Sequence, residues 1–164
     1  MRCAFKVFVL VLIWAGSVAA LEAPQSQPLL SVQGQISETN VDDQAQFDRA
    51  MLEAMDWQEI ETFTSFTQGS HSFAGPPLLS FLEALGAQGA LIRATAIDDY
   101  AVEITFEQMR KHSPIMALEQ NGKPMSLRSK GPIWIVFPQT EREAANNTFY
   151  AEMIWQLVRI DVLP

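Results

Sequence analysis

Five consecutive apolar residues, Ile133-Trp134-Ile135-Val136-Phe137, stand between Gly131-Pro132 on one side and Pro138 on the other. Proline has no N–H to give to a ladder or a helix, so the run is walled off at both ends. Too short for an ordinary helix, and rich in β-branched and aromatic side chains, it reads as a strand buried on both faces. Such a strand belongs inside a packed domain.

The flanking sequence supplies elements of both kinds. Leu29 to Ile36 alternates apolar and polar residues around Gly34, as a half-buried first strand does. Asp42 and Asp43 are placed to cap a helix running to about Met55, with Phe47, Ala50, Met51, Ala54 and Met55 on one face. Glu59 to Phe66 reads as a strand closed by a turn at Gln68-Gly69, and His71 to Phe73 continues the sheet. Pro76 and Pro77 open a helix whose apolar face is Leu78, Leu79, Phe81, Leu82 and Leu85, with Gly86 as its C′ residue.

Ala90 to Ala96 and Tyr100 to Ile104 form a hairpin around Ile97, Asp98 and Asp99. Phe106 to Lys111 is a short helix ended by Pro114, Ile115 to Glu119 is a strand, and Asn121-Gly122 is a turn. Residues 139–150 are polar and turn-rich, and Ile154 to Val162 closes the chain as a strand. Roughly seven strands and two or three helices, without repeats or regular alternation, give an α+β single domain with a mixed sheet.

The first 20 residues carry Arg2 and Lys6, then an apolar run from Val7 to Ala15, then Gly16, Ser17, Val18, Ala19 and Ala20. That order is a secretory signal cut after Ala20, and the apolar stretch is shorter than the roughly 20 residues a spanning helix needs. The expectation is therefore export across a bacterial inner membrane to the periplasm, with no membrane insertion after cleavage. Residues 21–28, with Pro24 and Pro28, read as a flexible leader to a domain over 29–164. Loss of the two basic residues moves the formal charge from −8 to −10, which argues against nucleic acid as a partner. Cys3 is the single cysteine and falls in the part removed, so cysteine-based nucleophilic catalysis, cysteine-type zinc and iron–sulfur ligation lose their ligand.

Few residues carry chemistry. His71 and His112 are the two imidazoles, beside a turn and at a helix end, and both read as surface or capping residues. Asp98-Asp99-Tyr100 joins two carboxylates to a phenol, so it could accept hydrogen bonds from a ligand's N–H groups while the ring stacks; as a pattern alone it is a hairpin turn. Lys123, Arg128 and Lys130 concentrate positive charge in one loop of an acidic chain, beside Ser126 and Gly131, where an anion or a ring carbonyl could be held. Trp57, Trp134 and Trp155 read as core, each with an indole N–H to satisfy.

Taken in order, HSFAGPPLLSFLEALGA (71–87), IRATAIDDYAVEI (92–104), NGKPMSLRSKGPIWIVFP (121–138) and IWQLVRIDV (154–162) resemble the molybdopterin-binding domain of the sulfite oxidase fold in its small periplasmic form. Catalytic members of that family bind molybdenum through a cysteine, whereas the matching stretch here is Glu61-Thr62-Phe63-Thr64-Ser65-Phe66. A hydroxyl from Thr64 or Ser65 is a poor substitute for a soft thiolate. The cysteine-lacking type resembles proteins that bind free reduced pterins and report them to the exported domain of a membrane signalling protein, such as a cyclic-di-GMP enzyme or a sensor kinase.

The resemblance implies a ligand site at Thr64, Phe66, Asp98, Asp99, Tyr100, Ser126, Arg128 and Lys130, with no catalytic residue and no metal. Phe66 and Tyr100 would stack on the pterin, Asp98 or Asp99 would take its donor edge, and Arg128 and Lys130 would meet its carbonyl side or a phosphate tail. Two other readings stand beside this one. The first is a molybdopterin-dependent oxidoreductase whose metal lacks the cysteine ligand; the second is a scaffold that binds no ligand and uses its surface for protein contacts.

Overall fold

A computed structural model describes residues 21–164; the expected signal segment lies outside the described residues. Strand β1 (Leu30–Gly34) is shorter than the alternation suggested, and it turns Leu30 and Val32 into the core. The helix expected from Asp42 needs correction. Asp42 takes a left-handed φ of 50°, Ala45–Phe47 form β2, antiparallel to β1, and helix α1 spans only Arg49–Glu53. The cap decides this. Asp48 has extended backbone and its carboxylate accepts the Met51 N–H at 3.0 Å, while Ala45 and Phe47 alternate into the core as strand residues.

Strands β3 (Gln58–Phe63) and β4 (Ser70–Gly75) are the expected antiparallel pair. At the end of β4, Gly75 passes so close to the backbone of Met116 that a Cβ would fall on its carbonyl, so only glycine fits. Helix α2 (Leu78–Ala84) buries Leu78, Phe81 and Leu82 and is followed by Gly86 at φ 63°, as its proline opening and glycine exit foretold. The hairpin is β5 (Leu91–Ala96) and β6 (Ala101–Thr105). Thr105 and Gln108 then form a capping box that starts α3 (Phe106–His112), which Ser113 ends in a left-handed turn before Pro114.

Strand β7 is Ile115–Ala117, and Asn121-Gly122, both at positive φ, join β8 (Glu119–Gln120) to β9 (Lys123–Pro124). The apolar run gives β10 (Trp134–Val136), paired with β7, and all five of its residues are buried. The stretch read as turns contains helix α4 (Glu141–Ala145), started by a Thr140/Glu143 capping box. Last comes β11 (Leu157–Leu163).

One sheet runs β2-β1-β11-β5-β6, with β1 and β11 parallel and the other neighbours antiparallel; a second runs β3-β4-β8-β9, and β7 and β10 pair separately. The fold is thus mixed α+β, with one hydrophobic core. Trp134, fully buried, meets Phe73 edge to face at 5.2 Å, and its indole donates to the Met153 carbonyl at 3.2 Å. Trp155 is half-buried, but Trp57 is 41% exposed and is no core residue. It stands between α1 and β3 among the exposed Asp56, Gln58 and Glu59, where no second layer covers it. Among the described residues no helix is long and apolar enough to cross a membrane.

The leader read as flexible is bonded to the domain at Glu22, whose carbonyl accepts from the Asn40 side chain at 2.7 Å, and again at Asp48. Asp48 Oδ2 accepts the N–H of Gln25, the N–H of Ser26 and the Ser26 hydroxyl at 3.0, 3.0 and 3.1 Å. The Met51 N–H, joined by Ser26 and Gln25 and opposed by burial, holds the Asp48 carboxyl below the usual aspartate range. A carboxyl depressed on folding adds stability above its unfolded pKa and loses it as pH falls through the folded one. Asp48→Ala is therefore expected to lower the thermal midpoint at pH 7 and to flatten its decline below about pH 4, read by calorimetry across pH.

Candidate ligand-binding site

Three non-glycine residues with left-handed backbone converge at one end of the domain: Asp99 (φ 67°), Lys130 (φ 68°) and Gln156 (φ 52°). Such conformations cost energy outside glycine and persist where surrounding bonds fix them. Gln156 provides those bonds. Its carbonyl accepts the Ile97 N–H at 3.0 Å, its N–H donates to the Lys130 carbonyl at 3.2 Å, and its side-chain amide donates to the Leu127 carbonyl at 2.7 Å. One residue, between Trp155 and the first residue of β11, thereby straps the 96–101 hairpin turn to the 126–130 loop.

The loop itself is closed by the Ser126 N–H on Ser129 Oγ at 2.9 Å and the Gly131 N–H on the Ser126 carbonyl at 2.8 Å. Leu127 to Ser129 form a single 3₁₀ turn inside it. The hairpin turn is closed by the Asp99 N–H on the Ala96 carbonyl at 3.1 Å and by Asp98 Oδ1, which accepts the Tyr100 N–H at 3.2 Å. This Asx arrangement engages one carboxylate oxygen of Asp98 and holds the residue at the rim.

Beside these loops lies a cleft of about 350 Å³, walled by Phe66, Tyr100, Tyr150 and Trp155, with Met153 also in the lining and Asp98 its one strongly charged side chain. Phe66 sits 4.7 Å from Tyr150, 4.8 Å from Trp155 and 6.1 Å from Trp134, ring centre to ring centre. The wall is thus continuous with the core. The Lys130 ammonium lies 5.6 Å from the ring centres of both Trp134 and Trp155 and belongs to no ion pair among the described residues.

The residues singled out in the sequence divide into four groups. Phe66, Asp98 and Tyr100 line the cleft. Lys130 packs on Trp155, one of its walls. Thr64, Asp99 and Ser126 serve the backbone around it: buried Thr64 accepts the Phe66 N–H at 3.1 Å and pairs with the Thr67 hydroxyl at 2.8 Å, Asp99 makes the left-handed turn, and Ser126 closes its loop. Arg128 is exposed on the same loop without lining the cleft.

Tyr150, Met153 and Gln156 had no place in the sequence reading. The signal for Tyr150 was an aromatic residue in an otherwise polar stretch, and for Gln156 a polar residue inside an apolar strand pattern. That strand begins at Leu157 rather than Ile154, because Gln156 at positive φ interrupts it. The histidines lie elsewhere: His71 bonds the Gln68 carbonyl and the Asn121 side chain, both at 2.9 Å, and the His112 ring packs on Phe149 at 4.7 Å. Among the described residues no three His, Cys, Asp or Glu side chains gather as a metal-ligand set.

No protein-family model matches the chain, and no curated protein does. Among solved structures, the sulfane dehydrogenase SoxCD from Paracoccus pantotrophus superposes with a TM-score of 0.61 at 14% sequence identity. The two chains share a fold. This is the sulfite oxidase-like fold that the sequence resemblance implied, and at that identity the likeness carries the fold alone. It covers 82% of this chain and 37% of that one, so the present chain spans little over a third of the dehydrogenase chain's length.

Within the sulfite oxidase-like fold, the Gln156 strap can be tested by itself. Gln156→Ala removes the bond to Leu127, and a typical hydrogen bond of this kind contributes about 1 kcal/mol. Amide exchange across residues 126–131 is expected to quicken with little loss of global stability; unchanged exchange there would mean that the backbone bonds of residue 156 hold the loop without the side-chain bond.

Proposed function

We propose that the chain is an exported, non-catalytic binding protein for a pterin, most suitably a reduced one, which it reports to the exported domain of a membrane signalling protein. The observation that carries this reading is the cleft itself. Four aromatic walls suit a flat ring, and the second oxygen of Asp98, without a hydrogen-bond partner among the described residues, suits the donor edge of an aminopyrimidinone. Its size of about 350 Å³ falls at the lower end of the roughly 300 to 1,000 Å³ usual for small-molecule sites.

The residues present fit a ring better than they fit a metal centre. Where catalytic members of the resembled family have a cysteine, the hydroxyls here are engaged within the protein: Thr64 with Phe66 and Thr67, and Ser65 with the Ala144 carbonyl at 2.8 Å. A bound pterin would supply the hydrogen-bonding edge and the stacking face. The chain supplies the walls, the acceptor at Asp98, and through Lys130, packed on Trp155, a positive charge beside the cleft that favours a ring carbonyl or a tail phosphate. The cationic loop and exposed rim support a protein partner that senses the loaded cleft.

The test is anaerobic purification from the native host, followed by mass spectrometry and metal analysis of the same sample. A pterin without molybdenum is the expected result; stoichiometric molybdenum with molybdopterin would replace this reading by the enzyme, and a protein with no pterin affinity would leave a scaffold. Asp98→Asn keeps the turn bond to Tyr100 but loses the charge. Hydrogen bonds to charged groups contribute about 1.5–3 kcal/mol, so pterin affinity is expected to fall about tenfold or more, measured by calorimetry.

A further inference from the structure

Near the cleft the structure buries a side-chain oxygen that has no hydrogen-bond partner among the described residues. Gln139 follows Pro138 at the end of the apolar run and is 7% exposed. Its backbone is stitched to β3: the Gln139 N–H donates to Thr62 Oγ1 at 2.6 Å, and its carbonyl accepts the Thr62 hydroxyl at 3.1 Å and the Phe63 N–H at 3.4 Å. The side chain is less well served. Nε2 reaches only the Met153 sulfur, at 3.5 Å, and Oε1 has neither a partner nor solvent contact.

Turning the amide over does not repair this, since the nitrogen would then be the orphan. A thioether is a weak acceptor in either case. Proteins rarely leave a buried amide half unpaired without a reason. Met153 is also the residue that links Gln139 to the cleft, because its sulfur meets the amide and the buried residue belongs to the cleft lining. Methionine is unbranched and flexible, and so is easily displaced compared with the rings around it. Its backbone, by contrast, is held by the Trp134 indole on its carbonyl and by its own N–H on the Phe149 carbonyl at 3.1 Å.

We propose that Met153 is a displaceable floor and that the Gln139 carboxamide reads a hydrogen-bond donor projecting from the bound ring, so that the site selects rings with a hydroxyl- or amino-bearing substituent over bare rings. This rests on the pterin reading and refines it. Phe66, Tyr100 and Asp98 take the ring; Gln139 takes the substituent. A carboxamide already fixed through its backbone and left without a partner favours the ligand that satisfies it, and penalises the one that pushes in without a donor.

The experiment compares two reduced pterins by anaerobic calorimetry, one unsubstituted and one with a 6-hydroxymethyl group, on the full chain as purified and on Gln139→Met. The native protein is expected to bind the hydroxymethyl compound about tenfold tighter, and Gln139→Met to lose that preference while holding the bare ring within about threefold. Met153→Leu, a stiffer floor, should lower affinity for the hydroxymethyl compound selectively. A readout without ligand accompanies these. Gln139→Met removes an orphan, so its thermal midpoint should equal or exceed that of the native protein; a clear fall would show that a buried water already satisfies the amide and would overturn the proposal. Equal affinity of the native protein for both rings, or a preference kept in Gln139→Met, would overturn it while leaving the pterin reading intact. Binding of neither ring would overturn the pterin reading itself.

Discussion

Trp134 is the side chain on which both the core and the cleft depend. It opens β10, a strand with no exposed residue, meets Phe73 of the neighbouring sheet, and stands 6.1 and 6.3 Å from Phe66 and Trp155, two walls of the cleft. Burying an indole of this kind removes about 250 Å² from water, on the order of 6 kcal/mol at 25 cal/mol per Å² before entropy is counted. That is comparable with the whole net stability of a small domain. The indole N–H on the Met153 carbonyl then fixes the segment that forms the floor. Core packing and site geometry are in this way one arrangement, and a change that loosens the core also moves the walls.

The sequence disclosed the parts of this arrangement that are local. Prolines on both sides of Ile133–Phe137 marked β10, Pro76-Pro77 and Gly86 bounded α2, and Ile97-Asp98-Asp99 marked the β5–β6 turn, because each signal lies within a few residues of the element it sets. Asp42 misled for the same reason: a carboxylate ahead of an apolar face looks like a cap, and only the pairing of Ala45–Phe47 with β1 shows that the helix must wait for Asp48. The Thr140/Glu143 box was a local signal for α4 that its polar surroundings obscured.

The site was legible to a lesser degree. Asp98 and Tyr100 stood out by type and setting, and Phe66 entered only through the family resemblance. Tyr150 and Met153 reach the cleft only because the chain returns after α4, and Gln156 matters through its bonds to residues 29 and 59 positions away in sequence. No pattern in the sequence encodes a contact at that range. Trp57 shows the reverse error, an aromatic residue taken as core although no neighbouring layer covers it.

Charge placement explains how an acidic chain keeps a cation at its cleft. Lys130 is held not by a carboxylate but by the faces of Trp134 and Trp155, an attraction of about 0.5–2 kcal/mol that leaves the ammonium's donors uncommitted. A salt bridge would have neutralised it. Asp98, on the opposite loop, commits one oxygen to the turn and keeps the other. Each left-handed residue that sets these positions costs about 1–3 kcal/mol of backbone strain, offset here by the three bonds of Gln156. The two loops are therefore set by bonds within the protein, an arrangement that would lower the ordering cost of binding under the proposed function and leave Met153 as the flexible side chain of the cleft lining.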